Sequence, residues 1–455
     1  MNQKDNLGYY RSETIKLTIP VFLELLISSL FGMVDMMMVG NSGPSHITTP
    51  SIAAIGITNQ MMFIGIAMAQ AISAGGTAMI SRYCGANKKE KVPNVVKHLV
   101  VLIIFLLIIP FVTVNQLIPE RIMGFIGAKQ DTIDVGLNYF RIVILGFIFQ
   151  SFNLSIFASM RGTGDTKTPM IINVCINILN VIGNYILVFG KLGLPALGVT
   201  GAGLSTSLSH VIASIVLFIM LLNKSHTVRL DISKGFKFNK AILENLIKVG
   251  GPAALEQVGF RIGVILFIKI VSGLGTVVYA THQIASNIIS LSFAPGQSFG
   301  IAASTLVGKS LGEERIDKAD TFIKETNGLA LIASIFFGLL FFFFGPKLTS
   351  LYTDDPLIIE QSVNVMKIIA LIQPFQASAF AISGGLRGAG DTVSTLIVTM
   401  IGVVFIRLVT AYILINMVGM GLVGAWIAML FDQITRWIGI TLRYRTGKWK
   451  YIKLK

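Results

Sequence analysis

Twelve long apolar runs constrain this chain more than any other feature. They lie near residues 15–39, 52–80, 95–117, 136–159, 169–190, 199–222, 243–270, 278–307, 322–345, 360–384, 393–417 and 421–442. A helix needs about 20 apolar residues to cross the hydrocarbon core of a bilayer. Barrel strands would be shorter and would alternate in polarity, so the runs predict helices. The expected fold is an all-α membrane protein with twelve transmembrane helices. Composition agrees: 53% of the residues are apolar and 13% are charged, against about 25% charged in a soluble domain. A soluble multidomain chain is excluded, and so is a disordered one, which would be poor in apolar residues.

The connectors orient the spans. With both termini in the cytoplasm, the inner segments hold 27 of the 37 Lys and Arg, including Arg82, Lys88, Lys89, Lys97, Arg161, Lys224, Lys234, Lys237, Arg387, Arg443 and Lys455. The outer connectors hold four, Arg121, Lys129, Lys191 and Lys347. That asymmetry obeys the positive-inside rule at nearly every crossing. A multi-pass protein of the cell inner (plasma) membrane is expected, with both ends cytoplasmic. The net charge of +15 is then an orientation signal, and no nucleic-acid partner is expected. The polar N-terminus leads straight into a long span, so no removable signal peptide is expected. Cys84 and Cys175 offer neither a disulfide framework nor metal-ligand spacing.

The chain repeats itself at an offset near 226. Arg161-Gly-Thr-Gly-Asp165-Thr follows span 4, and Arg387-Gly-Ala-Gly-Asp391-Thr follows span 10. Ile15-Lys-x-x-x-Pro20-x-x-Leu-Glu24 opens span 1, and Ile247-Lys-x-x-x-Pro252-x-x-Leu-Glu256 opens span 7. Gln70 matches Gln297, and Gly201-Ala202 matches Gly424-Ala425. Each half has an even number of spans, so the repeat is parallel. We expect an N-terminal lobe at 1–222, a cytoplasmic linker at 223–240 and a C-terminal lobe at 241–455, six helices to a lobe. Two lobes rocking about a central site give alternating access. In each Arg-Gly-x-Gly-Asp-Thr turn the glycines permit a tight reversal, Asp165 is positioned to cap the next helix, and Arg161 can pair with Asp165. No phosphate loop or other ATPase motif occurs, so active transport would draw on an ion gradient. His46, His98, His210, His226 and His282 are scattered, and no hydrolase motif is present. An enzyme is not expected.

These features resemble the multidrug and toxic compound extrusion (MATE) family along essentially the whole chain. The specific parts are Val34-Asp35-Met-Met-Met-Val39-Gly40, the two Arg-Gly-x-Gly-Asp-Thr turns, the Pro169…Asn180…Asn184-Tyr-Ile-Leu-Val-Phe stretch of span 5, and the Gly-Ala starts of spans 6 and 12. The resemblance implies a secondary antiporter that exports organic cations and amphiphilic drugs in exchange for inward H⁺ or Na⁺, without a cofactor. The alternative is an exporter or flippase of a lipid-linked or anionic metabolite with the same architecture. A monomer is expected.

Ionisable residues deep in a span are costly and usually functional. Asp35 lies in span 1 among Phe, Gly, Met and Val. A carboxylate so placed can hold a proton, Na⁺ or a cationic drug, and its bland alternative is an ion pair with Arg141. The resemblance maps its polar helpers to Asn180, Asn184 and Tyr139. Family members often carry Asp where this chain has Asn184, so a two-carboxylate proton site is not available. Asp35 with amide oxygens such as that of Asn180 could still hold Na⁺, because hard cations favour oxygen. Glu256 matches a family glutamate implicated in cation binding, but the corresponding part of span 10, Gln373-Pro-Phe-Gln-Ala-Ser378, has no acid. Pairing of Glu24 or Glu256 with Lys16, Lys248 or Arg261 is the bland alternative. Arg261 and Arg407 fall mid-span and should face a cavity or a partner. Asp432 and Arg436 have the spacing of a local pair. For substrate contact the candidates are Asp35, Met33, Met61, Gln70, Gln283, Asn287, Gln297 and Arg261, with Asn153, Gln150 and Gln376 as further cleft-lining polar groups. Flexible thioethers suit a surface that accepts many shapes.

Overall fold

A computed structural model describes residues 3–43, 45–223, 226–230 and 238–454. Lys224, Lys234, Lys237 and Lys455, counted above as cytoplasmic charges, lie outside the described residues, as does much of the linker. Twelve helical spans follow one another, and no strand occurs among the described residues. Spans 1, 2, 4, 5 and 6 are Gln3–Gly40, Ser45–Gly85, Gln130–Thr163, Lys167–Phe189 and Gly198–Leu222. Spans 7, 9, 10 and 12 are Lys240–Ser272, Ile316–Ser350, Pro356–Gly388 and Gly421–Arg445. Most run several residues past the apolar windows, because polar ends of a helix extend beyond the hydrocarbon.

Three spans are not simple helices. Span 3 passes through a π-helical turn at Ile104–Ile108, and span 11 through two, at Ile401–Arg407 and Ile413–Met417. Span 8 breaks at Ser292 into Thr276–Leu291 and Phe293–Gly312. A short helix, Pro119–Ile126, precedes span 4. None of this was expected from periodicity. Among the described residues, nine helices are long and apolar enough to cross a membrane by length and composition. The other three spans depart for visible reasons. Span 7 carries Glu256, Arg261 and Lys269, span 8 is broken, and span 12 carries Asp432 and Arg436.

The chain divides into two compact units: Leu23–Tyr83 with Lys88–Ile247, and Met1–Phe22 with Cys84–Asn87 and Lys248–Leu454. The start of span 1 thus belongs with the C-terminal unit, where Tyr10 meets Phe322 edge-on at 4.8 Å and Arg11 Nε reaches Glu325 Oε2 at 2.9 Å. That unit has a core around Phe267, Trp426, Val365 and Ile369. In the N-terminal unit Phe140, Ile144 and Phe147 of span 4 are fully buried.

Glycine lets helices touch where spans 8 and 10 meet. A Cβ on Gly384 would collide with the Gly300 carbonyl, and one on Gly300 would crowd the Phe380 carbonyl. Small residues at such crossings replace the hydrophobic drive that lipid removes. The two repeat turns close alike. Gly164 (φ +95°) and Gly390 (φ +87°) take the left-handed conformation. Asp165 N donates to Met160 O at 3.1 Å, and Asp391 N to Leu386 O at 2.8 Å.

Candidate functional site

Asp35 sits near the C-terminal end of span 1, half-buried. Span 5 presents Asn173, Asn177, Asn180 and Asn184 at steps of four, three and four residues, which keeps them on one helix face. Asn184 Nδ2 donates to Asp35 Oδ1 at 2.7 Å. Asn180 completes the contact. Its nitrogen donates to Asp35 Oδ1 at 2.7 Å and Oδ2 at 2.9 Å, while its oxygen accepts from Thr206 Oγ1 at 2.9 Å and Thr206 N at 3.1 Å. Asn184 Oδ1 is buried with no hydrogen-bond partner among the described residues.

Tyr139 of span 4 is 6% exposed and lies within electrostatic range of Asp35. Its ring packs where span 6 has Gly203. So Asp35, Asn180, Asn184 and Tyr139 come together as expected. Among the described residues Asp35 has no ion pair, and the Arg141 alternative is not realised.

The two glutamates are paired, but not with the partners expected. Arg161 Nη2 reaches Glu24 Oε1 at 2.5 Å, and Asn173 Nδ2 donates to the same oxygen at 3.0 Å. Arg387 Nη2 donates to Glu256 Oε1 at 2.7 Å; Thr399 Oγ1 adds a bond to Oε1 and Thr395 Oγ1 one to Oε2, each 2.9 Å. Both glutamates therefore pair with the repeat-turn arginine of their own half, rather than with Lys16, Lys248 or Arg261. Burial explains this: Glu24 is 3% exposed and Glu256 5%, depths that flexible surface lysines do not reach. Asp165 Oδ1 accepts from Thr168 N at 3.0 Å, the cap expected of it.

Arg407 lies 3% exposed in span 11 and donates through Nε to Asp432 Oδ2 at 3.0 Å. Arg436 Nε meets Asp432 Oδ1 at 3.0 Å, the local pair expected in span 12. Phe260 and Phe267 lie 5.9 and 5.6 Å from the Arg407 guanidinium. The link from Arg407 to Asp432 was not foreseen; a buried arginine and a buried aspartate in neighbouring spans were its only sequence signal.

Of the substrate candidates, Gln70, Gln283, Asn287, Gln297 and Met33 are exposed on the surfaces of their own units, and Met61 and Arg261 are half-buried. Lipid cannot satisfy an amide, so an exposed amide at membrane depth is unfavourable against hydrocarbon. Asn153 and Gln376, read as cleft-lining, are instead buried at 1% and 4%. Asn153 Nδ2 donates to His210 O and its oxygen accepts from Ser214.

The MatE family model matches residues 20–186 and 252–413, most of the chain and both halves of its repeat. The chain belongs to the MATE family. The probable multidrug resistance protein NorM of Thermotoga maritima is 32% identical over 448 residues, which cover 98% of this chain and 95% of that protein. The uncharacterised transporter YisQ of Bacillus subtilis is 28% identical across 95% of this chain and 94% of its own length. The fold is that of solved MATE structures. An outward-facing multidrug resistance MATE transporter of the MOP superfamily superposes with a TM-score of 0.88 at 23% identity, over 97% of each chain. Here, then, is a MATE multidrug efflux transporter rather than an enzyme, with two six-helix halves.

Proposed function

We propose that this MATE chain is an antiporter. It exports organic cations and amphiphilic drugs against an inward flow of H⁺ or Na⁺ through Asp35. One observation carries the reading: among the described residues, the span carboxylates Glu24, Glu256 and Asp432 each have an arginine partner from another span, and Asp35 has none. A carboxylate held at membrane depth by amides alone needs a cation to offset its charge. Proton, Na⁺ and a cationic substrate compete for that place, which is what exchange requires. The oxygens of Asp35, Asn180 and Asn184 are the hard ligands a monovalent metal cation would use. Glu256 would couple an ion only on release from Arg387, Thr395 and Thr399, which hold both of its oxygens.

The exposed Gln70, with Met33 and Met61, forms the substrate face of one unit, and Gln283, Asn287 and Gln297, with Arg261 as a further candidate, that of the other. One chain supplies both lobes, so a monomer in the bilayer suffices. The basic connectors support a reading in which both termini lie in the cytoplasm of a cell whose inner membrane the protein spans. An anionic or lipid-linked substrate would call for a free basic cavity, whereas Arg407 and Arg436 are engaged by Asp432.

Uptake of a fluorescent organic cation into everted vesicles tests this, with imposed ΔpH or Na⁺ gradients. Wild-type protein should respond to one of them and Asp35→Asn to neither. Coupled transport retained in Asp35→Asn would overturn the reading.

A further inference from the structure

We propose that Glu24 is a second station for the coupling cation, joined to Asp35 by a polar seam between spans 1 and 5. The proposal rests on the assignment of Asp35 as the coupling carboxylate. Glu24 and Asp35 are eleven residues apart, so they lie on one face of span 1, about 17 Å apart along its axis. Span 5 runs alongside in strict register. Glu24 bonds Asn173 and Asp35 bonds Asn184, each pair separated by 149 residues. The interval is polar as well. Ser28 Oγ donates to Asn173 Oδ1 at 3.2 Å, and Asn177 Nδ2 donates to the oxygen and the carbonyl of Asn173, both at 2.8 Å. Asn180 then reaches Asp35. Carboxylate, hydroxyl and amide oxygens therefore recur along the seam, and Asn173, Asn177 and Ser28 are only half-buried, open enough for water to accompany an ion.

The repeat separates this from a merely structural pairing. Both halves carry the inner Glu–Arg pair, but only the N-terminal half continues it. At the offset that relates Glu24 to Glu256, Ser28 and Asp35 become Phe260 and Phe267. At the offset that relates Asp165 to Asp391, Asn177 and Asn180 become Val403 and Ile406. The carboxylates themselves differ too. Glu256 has bonds on both oxygens. Glu24 Oε2 is buried and has no hydrogen-bond partner among the described residues. A 3% exposed carboxylate with one oxygen held by Arg161 and Asn173, and the other buried with its bonding unfilled, suits a cation arriving along the seam. Arg161 keeps the site charged between arrivals. It also lowers the affinity, so the ion can leave.

The test uses purified full-length protein in proteoliposomes, loaded for either a ΔpH or a Na⁺ gradient. It reads ion flux, binding of the fluorescent cation and melting temperature. Glu24→Gln should lower ion-coupled flux by about tenfold or more, the weight of a charge-assisted contact, with cation binding kept. Because that variant takes away the carboxylate that Arg161 Nη2 donates to, Glu24→Gln with Arg161→Gln is made alongside. The neutral pair should fold and still transport poorly. Wild-type flux in the double variant would show that Glu24 only neutralises Arg161, and would overturn the proposal. Asn177→Leu breaks the middle of the seam without touching a charge and decides the matter should the double variant not fold. It too should lose about tenfold, and wild-type flux there would also overturn the proposal. Coupled transport surviving in Asp35→Asn would instead fault the assignment of Asp35. Response to ΔpH or to Na⁺ identifies the ion.

Discussion

Arg407 and Asp432 lie 25 residues apart in the chain and meet inside the C-terminal unit with 3% and 0% of their side chains exposed. Arg436 joins them from one turn along span 12, so one carboxylate serves two guanidinium groups. Removing it strands one buried cation, Arg407, and one half-buried, Arg436. Asp432→Ala should cost about 3–5 kcal/mol, read as a large fall in melting temperature and in folded yield. Adding Arg407→Met should recover part of the loss. A double-mutant cycle that shows simple additivity would contradict the coupling.

Packing at the Gly300–Gly384 crossing makes a second prediction. A side chain on Gly384 meets backbone, which cannot swing aside. Gly384→Leu should destabilise by at least about 1–3 kcal/mol. Gly8, with open space where a Cβ would go, should accept alanine with an unchanged melting temperature.

The end of the second repeat turn is tied down by Arg443, whose Nε donates to Asp391 Oδ2 at 2.7 Å, with the arginine side chain 26% exposed. Partial solvation makes this a modest contact. Arg443→Gln should cost about 1 kcal/mol, visible as a small, salt-sensitive drop in thermal stability with folding intact.

On the proposed substrate face, Gln283 and Asn287 are one turn apart and both exposed. Gln283→Leu and Asn287→Leu should raise the apparent KM for a polar organic cation by about fivefold each, the value of one ordinary hydrogen bond. Melting temperatures should stay put, since neither side chain is buried. Unchanged KM in both would remove this face from the substrate path.

Hydropathy revealed the twelve spans, because lipid demands long apolar helices wherever the chain crosses. The repeat was visible in Arg161-Gly-Thr-Gly-Asp165 and its copy, because a tight turn tolerates few sequences. Asp35 announced itself through its depth. What stayed hidden was rotation and pairing. Periodicity in a uniformly apolar helix does not say which way Asn153 or Gln376 turns, and both proved buried. Nor does spacing reveal that Glu24 reaches Arg161 across 137 residues, since that contact exists only once three helices have packed. The break at Ser292 does have a signal, Pro295-Gly296 just beyond it, but hydropathy does not weigh it, and π turns leave the apolar pattern of spans 3 and 11 unbroken.

Thr206 sets the polarity of the Asp35 pocket. Its hydroxyl and its backbone N–H both lie against the Asn180 oxygen, at 2.9 and 3.1 Å, which turns the amide nitrogen to the carboxylate. Asn184 adds a second amide donor at 2.7 Å. The pocket so arranged favours a bare, ionised Asp35, and a cation that loads it must displace amide donors, so the cost of loading falls on two side chains rather than on the backbone.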